Sequence, residues 1–244
     1  MIRRENVIKR FIMGMSVLTA YIYYTGNLNM HDINISAEQF MCDLLNILYN
    51  MDLKNANNVT YNNSGYDLIS ENKKIIIQVT VTDTPEKIIR TLNTIKHKVF
   101  EYSEWTEKLR EIRVQKKLDP STYTSKVQDD EKKIRSKLAE NVNLNDYTLY
   151  FMVMKQDATM QRKYKGENNQ GYVCIDEVNF DKKNIWDFST LINKVNSISE
   201  ISSNGEDDLL TEINHFMDKN INVFGMLSEH GNSLNNKVKS IIKE

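Results

Sequence analysis

The chain has 244 residues, of which 40% are hydrophobic and 27% are charged, and its formal net charge is −1. This length allows one large domain or two small ones with a sizeable core. A net charge near zero gives no overall field that attracts nucleic acid, so such binding would require a local basic patch. With only two prolines and eight glycines, the composition favours long helices over an all-β fold.

Cysteine usage and hydropathy restrict the cellular setting. Cys42 and Cys174 are far apart in sequence and lie in apolar surroundings, which predicts two buried free thiols in a reducing cytosol. The His and Cys residues show no zinc-ligand spacing. The apolar run 11–24 is too short to span a bilayer and no small-residue cleavage site follows it. We therefore predict a cytoplasmic protein without a membrane segment.

The first fifty residues are predicted to form two helices. Residues 2–24 carry apolar side chains at helical spacing on both faces, which indicates a helix that is largely buried or packs against a partner chain. Gly26 is expected to end this helix. Residues 31–35 are predicted to be a connector, with Ser36 as the N-cap of a second helix that runs to about Asn50. Residues 53–61 follow as a predicted polar link.

A β-hairpin is predicted next. Two β-rich runs, residues 66–69 and 75–81, flank a polar turn at residues 70–74. The second run is apolar at almost every position, which is typical of a strand buried on both faces.

Three polar side chains in this hairpin are expected to converge. Gln78 and Thr80 are two residues apart and share a face of the strand, and closure of the hairpin places Asp67 across from Gln78. A carboxylate with neutral oxygen ligands suits a hard cation such as Mg²⁺. The alternative is that Gln78 and Thr80 only satisfy each other or cap the edge of the sheet.

The middle of the chain is predicted to be helical. Thr84 as N-cap, Pro85 at the first helical position and Glu86 in the first turn open a helix directly after the strand. Residues 101–141 are charged and helical, and residues 119–121 divide them into two arms of a helical hairpin insertion. From Glu86 to Lys117 there are nine Lys or Arg and five Glu. This run is either a surface that contacts a DNA backbone or a solvated face or dimer arm.

The remaining residues complete an α/β prediction. Residues 147–154 are expected to form a strand beside 75–81, and residues 171–175 a further short strand. Residues 156–170 are predicted to be a basic loop. Helices are expected to open at Asp187 and Glu206, with a last one at residues 234–243. Residues 199–205 are the best linker candidate, which divides the chain into a domain at 1–200 and a helical appendage at 201–244.

The polar residues of the hairpin resemble a known site. Asp67, followed by a strand that carries Gln78, Val79 and Thr80, resembles the core motif of the PD-(D/E)XK, or restriction-endonuclease-like, superfamily. Residues 35–95 more closely resemble the bacterial SMEK domain. The matching stretches are Ser36-Ala37-Glu38-Gln39-Phe40, Leu44-Leu45-Asn46, Leu53-Lys54-Asn55, Asp67-Leu68, Ile77-Gln78-Val79-Thr80, Lys87-Ile88 and Thr91-Leu92.

The resemblance implies a fold and roles for individual residues. The fold is a restriction-endonuclease-like core: a central mixed sheet of four or five strands flanked by helices, with helical extensions. Asp67, Gln78 and Glu38 are expected to hold Mg²⁺ or Mn²⁺. Thr80 is expected to be a secondary ligand or a positioning group of the catalytic site. Because Thr80 stands where the superfamily has Lys, Lys87 is the candidate for a displaced catalytic lysine, and Lys73 and Lys74 in the hairpin turn are weaker candidates. Nucleic-acid contacts are assigned to Lys73, Lys74, Arg90 and Lys96.

Three kinds of function remain open. The first is a metal-dependent DNA endonuclease, the effector of a bacterial anti-phage defence system that a sensor or ATPase partner controls. The second is an inactive relative that binds nucleic acid or a partner protein, which the missing lysine after Gln78 favours. A helical assembly module, including a homo-oligomer, is the third alternative, and the first helix and charged arms favour it.

Overall fold

The computed structural model describes residues 4–26, 31–58, 65–160, 179–198 and 206–229. Several predictions fall outside these ranges: most of the basic loop, the strand at 171–175, Cys174, the linker at 199–205 and the helix at 234–243. Cys42 is a buried free thiol as predicted, and burial raises its pKa to about 11.

The described residues form six α-helices and five β-strands. The helices are α1 Arg4–Gly26, α2 His31–Tyr49, α3 Pro85–Leu118, α4 Ser125–Glu140, α5 Phe188–Ser197 and α6 Glu206–Glu229. The strands are β1 Lys54–Asn55, β2 Leu68–Ser70, β3 Ile75–Thr80, β4 Thr148–Val153 and β5 Ile185–Trp186. Short 3₁₀ turns occupy Ala56–Asn58, Pro120–Thr122 and Lys182–Asn184. Among the helices described, none is both long enough and apolar enough to cross a membrane.

The strands form one mixed sheet in the order β1-β2-β3-β4-β5. The first three strands are antiparallel, whereas β3, β4 and β5 are parallel. The predictions of a mixed α/β fold, of the hairpin and of residues 147–154 as the neighbour of 75–81 are confirmed. Because a parallel pair needs a crossover connection, the long helical segment between β3 and β4 follows from this topology.

Helices cover both faces of the sheet. Ile77 and Met152 point into a core shared with α1, α2, α5 and α6, whereas Ile76 and Phe151 point into a second core shared with α3. Alternate residues of one strand therefore enter different cores, which explains why the run at 75–80 is apolar at nearly every position.

Helix α6 shares the core of α1. Its Leu210, Ile213 and Met217 are buried in the same cluster as residues of α1 and α2, and Arg10 of α1 pairs with Asp218. The division of the chain at residue 201 stays a prediction.

Three local predictions differ from the structure. Residues 31–35 belong to α2, so they are not a connector and Ser36 is not its N-cap; this stretch contains no Gly or Pro that would stop the helix. The polar link at 53–61 contains β1, and β5 was not predicted at all. Each of these strands has two residues, which is too short for a periodic signal.

Helices α3 and α4 form a projecting hairpin. The 34 residues of α3 correspond to a length of about 51 Å. The break at Asp119 is as predicted, and its side chain accepts a hydrogen bond of 3.0 Å from the Ser121 N–H. We call residues 100–140 the arm. Within the arm only Leu109 and Glu131 are buried, so most of its surface faces solvent.

Candidate functional site

The predicted polar residues meet at the end of β3. The register pairs Leu68 with Ile77, so Asp67, one residue before β2, lies opposite Gln78. Both side chains are buried, with exposed fractions of 8% and 7%. The structure thus places a carboxylate and an amide side by side in the hairpin, as its sequence pattern predicts.

Asp67 accepts hydrogen bonds from the neighbouring strand. Its Oδ2 receives the Val79 N–H at 2.7 Å and the Gln78 Nε2–H. The Gln78 Nε2 also donates to the Val79 carbonyl at 3.1 Å. The Val79 N–H lies beyond the last residue pair of the β2–β3 ladder, and the Asp67 side chain takes the place of a backbone acceptor for it. This hydrogen bond fixes the position of the Asp67 carboxylate.

A second carboxylate lies next to Asp67. Glu38, in α2, accepts a hydrogen bond of 2.8 Å from Asn57 Nδ2 through its Oε2. Burial and, next, the charge of Glu38 raise the pKa of Asp67 to about 7, although the Val79 N–H and the charge of Lys87 oppose this rise. Burial also raises the pKa of Glu38, although the Asn57 hydrogen bond opposes this. A buried carboxylate next to a second, half-buried carboxylate is stabilised by an added cation.

Three oxygen atoms of this cluster have no hydrogen-bond donor among the described residues: Asp67 Oδ1, Glu38 Oε1 and Gln78 Oε1. They belong to side chains that line one pocket of about 180 Å³, together with Val79, Thr80, Val81 and Met154. Carboxylate and amide oxygens are the ligands that Mg²⁺ and Mn²⁺ accept. The residues present therefore fit a divalent cation held by two carboxylates and one amide. A group of three or more His, Cys, Asp or Glu is not found within the described ranges.

Lys87 and Thr80 occupy different positions at this end of the sheet. Lys87 lies in the first turn of α3, half-buried, and its positive charge lowers the pKa of Asp67. It forms no ion pair within 4.0 Å with a carboxylate in the described part of the chain. The Thr80 hydroxyl, in contrast, accepts the Thr82 N–H at 3.0 Å, so it already has a structural partner.

The structure does not bring the predicted nucleic-acid contacts together. Lys73 and Lys74 lie in the β2–β3 turn, at the other end of a strand about 17 Å long. Lys73 donates to the Asn50 carbonyl, and the Lys74 ammonium lies 4.8 Å from the centre of the Tyr147 ring. Neither lies near the Asp67 pocket, so neither replaces the lysine that the motif lacks. Their assignment as nucleic-acid contacts stays a prediction. Arg90 is exposed one turn after Lys87 on α3, and Lys96 lies further along the same helix.

Asp83 is a residue of this region that the sequence analysis missed. Its carboxylate accepts hydrogen bonds from the Thr159 N–H and hydroxyl at 2.8 and 2.9 Å and from the Met160 N–H at 2.5 Å. Lys155 Nζ lies 3.6 Å away. Burial raises the pKa of Asp83, but these hydrogen bonds and the Lys155 charge outweigh it and lower the pKa. Asp83 thus ties the segment before α3 to the segment after β4, and no local spacing signals a partner so distant in sequence.

The comparison with protein families decides the identity of this domain. A model of the SMEK domain matches residues 10–142, more than half of the 244 residues. The chain belongs to the SMEK domain family. Its SMEK domain contains Glu38, Asp67, Gln78 and Lys87 and extends through the arm. The comparisons with curated proteins and with solved structures found no match.

Proposed function

We propose that the SMEK domain of this protein is a metal-dependent DNA endonuclease with a restriction-endonuclease-like core of the PD-(D/E)XK type. The observation that carries the proposal is the meeting of Asp67, Gln78 and Glu38 at one end of the sheet, each with an oxygen that has no donor among the described residues. In the resemblance described above, an acidic residue on one strand and Glu or Gln on the next hold the metal.

Asp67, Gln78 and Glu38 are the residues that would hold Mg²⁺ or Mn²⁺. A divalent cation in such a site polarises a phosphate and lowers the pKa of a water bound to it. The raised pKa of Asp67, about 7, supports this role, because a bound cation would favour the charged carboxylate that burial and Glu38 disfavour. The Val79 N–H keeps Asp67 Oδ2 in position, which leaves Oδ1 for the cation.

Lys87 takes the role of the lysine that the motif lacks at Thr80. Its charge acts on Asp67, and no described carboxylate neutralises it within 4.0 Å. An ammonium group beside a phosphate stabilises the negative charge that develops at phosphorus and orients the attacking water. Arg90, one turn further along α3, is placed to contact an adjacent phosphate.

The wider setting comes from the resemblance. The resemblance to SMEK and nuclease domains implies that the protein is an effector of anti-phage defence in a bacterial cytoplasm. A sensor or ATPase partner would control it. The exposed charged side chains of the arm are available to such partners and to DNA.

Cleavage of supercoiled plasmid tests this function. The wild-type chain, Asp67→Asn and Lys87→Gln are incubated with Mg²⁺ or Mn²⁺ and with EDTA, and nicked and linear products are measured. We expect metal-dependent nicking that is reduced at least about a hundredfold in both variants, as for the loss of a principal electrostatic group. Asp129→Asn and Lys183→Gln make the same chemical changes at exposed positions and serve as matched controls.

Each result has a distinct meaning. Loss of nicking in Asp67→Asn alone keeps the enzyme and removes the role of Lys87. Restored nicking in a Thr80→Lys, Lys87→Gln double variant would confirm that the two positions serve one function. Full activity of Asp67→Asn would reject this site.

A second candidate function is an inactive nuclease fold that binds DNA or a partner protein. It is favoured by the hydrogen bond from Gln78 Nε2 to Asp67 Oδ2, which gives these two atoms a partner without a metal, and by the Thr80 hydroxyl, which already accepts the Thr82 N–H. Thermal unfolding with and without Mn²⁺ separates the two functions. A metal-induced rise in Tm that Asp67→Asn abolishes supports the metal site, whereas no shift in either protein supports the binding module.

A further inference from the structure

A short turn contacts both acidic residues of the candidate site. The Asn57 Nδ2 donates a hydrogen bond of 2.8 Å to Glu38 Oε2. The N–H of Ala56, the residue before it, donates a hydrogen bond of 2.8 Å to the backbone carbonyl of Asp67. The turn at Ala56–Asn58 therefore links a side chain of α2 to the residue that precedes β2.

The backbone of this turn is held independently of Glu38. Asn55 is buried in β1, and its Oδ1 accepts a hydrogen bond of 3.0 Å from the Asn57 N–H. The side chain of Asn46, on α2, forms two hydrogen bonds with the backbone of Leu53, at 2.7 and 2.9 Å. Because none of these contacts uses the Asn57 amide, loss of that amide would leave the turn in place.

Glu38 depends on the Asn57 amide for its direction. It lies two turns into α2, which begins at His31, so it gains nothing from the helix N-terminus, whose effect is confined to the first turn. Among the described residues, Asn57 is the only hydrogen-bond donor to its carboxylate. A half-buried Glu side chain keeps rotamer freedom, and the charges of Glu38 and Asp67 repel each other. An unheld Glu38 would therefore turn away from Asp67 toward solvent.

The donor is neutral, which suits a cation site. An Asn amide orients a carboxylate without neutralising its charge, whereas the ammonium of a Lys would compete with the cation. The amide engages Oε2 of Glu38 and leaves Oε1 without a donor among the described residues. In protein metal sites the ligating carboxylates are themselves hydrogen-bonded, and loss of such a partner costs about 10–100-fold in metal affinity.

We propose that Asn57 is a positioning residue, which holds the Glu38 carboxylate toward Asp67 so that both can bind one divalent cation. This inference rests on the proposed function, because it assigns a role within the same metal site. Asn57 itself touches neither the cation nor the substrate. It acts through Glu38, because a side chain that is already ordered loses less conformational entropy when the cation binds.

Binding of Mn²⁺, followed by the electron paramagnetic resonance signal of the free ion, tests this role without any measurement of cleavage. The wild-type chain is compared with Asn57→Ala and with Asn57→Ser, which keeps a turn-forming residue but shortens the side chain. We expect both variants to bind Mn²⁺ about 10–100-fold more weakly. Asn72→Ala is the matched control, since Asn72 Nδ2 donates to Asp52 Oδ2 at 2.6 Å in an exposed pair. It should bind Mn²⁺ within about twofold of the wild type.

A double-mutant cycle separates positioning from a structural role. If Asn57 acts through Glu38, the Asn57→Ala, Glu38→Gln double variant binds Mn²⁺ as weakly as Glu38→Gln alone, because no carboxylate is left for the amide to position. A structural role would instead add the loss of Asn57→Ala to that of Glu38→Gln. Thermal unfolding in EDTA checks that the variants fold, and we expect Asn57→Ala and Asn72→Ala to change Tm by similar amounts.

Any one of four results would overturn the proposal. They are equal Mn²⁺ affinities of Asn57→Ala and Asn72→Ala, additive losses in the double variant, unfolding of both Asn57 variants, and a wild-type chain that binds no Mn²⁺ at millimolar concentration. The plasmid assay judges the nuclease separately. Mn²⁺ binding that depends on Asn57, without plasmid nicking, would reject the nuclease and keep the positioning role. Nicking, with Mn²⁺ binding that does not depend on Asn57, would keep the nuclease and reject the positioning role.

Discussion

The end of the sheet and the arm hold charged groups in opposite ways. Asp67 is buried and Glu38 of α2 is half-buried beside it, and burial raises the pKa of both carboxyls. The arm keeps nearly all of its charges in solvent, with only Leu109 and Glu131 buried among residues 100–140. Chemistry at a metal needs groups whose protonation the fold controls, whereas binding to a charged partner needs charges that remain accessible. One SMEK domain contains both kinds of environment.

The largest expected difference between the two regions concerns packing. Phe151 is fully buried on the α3 face of β4 and meets Phe180 edge-on, at 5.6 Å between ring centres. Phe151→Ala is expected to lower the free energy of unfolding by about 3–5 kcal/mol. Leu118→Ala, at a residue that is 81% exposed, is the arm counterpart and should change it by less than about 0.5 kcal/mol. Urea denaturation measures the free energy of unfolding of both variants. Similar losses in Phe151→Ala and Leu118→Ala would contradict the contrast between a packed sheet and a solvent-exposed arm.

A second comparison uses the charge of Asp67. Its pKa rises from 3.8 to about 7 on folding, so between these pH values the folded state binds more protons than the unfolded state. Stability therefore falls as pH rises through this window, by up to about 4 kcal/mol above pH 7. Asp67→Asn has no carboxyl to ionise at this position. The free energy of unfolding of this variant, relative to that of the wild type, should therefore increase from pH 4 to pH 7. Asp129→Asn on the arm is the control, and a pH-independent advantage of Asp67→Asn would disprove the explanation.

Asp83 should show the opposite pH dependence. Its pKa is lowered in the fold, so its contribution to stability is present above the unfolded pKa and is lost as pH falls through the folded pKa. Asp83→Asn is expected to lower the unfolding free energy at pH 7 by about 1–3 kcal/mol, because a charged acceptor of three hydrogen bonds is removed. Denaturation at pH 7 and at pH 3 measures this loss. A larger loss at acidic pH would show that the carboxylate charge is not what stabilises the contact.

The smallest expected effect lies within the arm. Glu131 is the buried carboxylate that accepts hydrogen bonds from Tyr123 and Arg135, and these partners lower its pKa. Glu131→Gln should weaken these hydrogen bonds, destabilise the arm slightly and leave the sheet unaffected. Hydrogen exchange should then become faster in α4 but not in β3 and β4. Faster exchange in the strands would show that the arm and the sheet unfold together.

The sequence predicts the parts of the fold whose signals are local. The hairpin at 66–81, the opening of α3 after Thr84 and the break at Asp119 all depend on residues within a few positions of one another, and the structure confirms them. The opposition of Asp67 and Gln78 follows from a short turn in the same way. The sequence could not predict which residues of β3 enter which core. Both faces of the strand carry apolar residues, so the sequence pattern does not distinguish them.

Contacts between distant segments were beyond prediction. Asp83 meets Thr159 and Met160 across a long crossover, and Asn57 reaches Glu38 from a segment expected to be a link. The two-residue strands β1 and β5 exist because neighbouring strands offer them hydrogen bonds and not because of their own propensity. The start of α2 was placed too late because Ser36 is a good capping residue that here lies inside the helix.

The parallel pairing of β3 with β4 also sets an order in which the chain can fold. Residues 81–147 separate the two strands, so their contact requires closure of a long loop and is costly in entropy. The β2–β3 hairpin and the α3–α4 hairpin need only local contacts and can form first. Because β3 and β4 are parallel, the chain leaves the sheet after Thr80 and re-enters it at Thr148, beside Ile75 at the other end of β3. A preformed α3–α4 hairpin shortens the effective loop that must close before β4 adds.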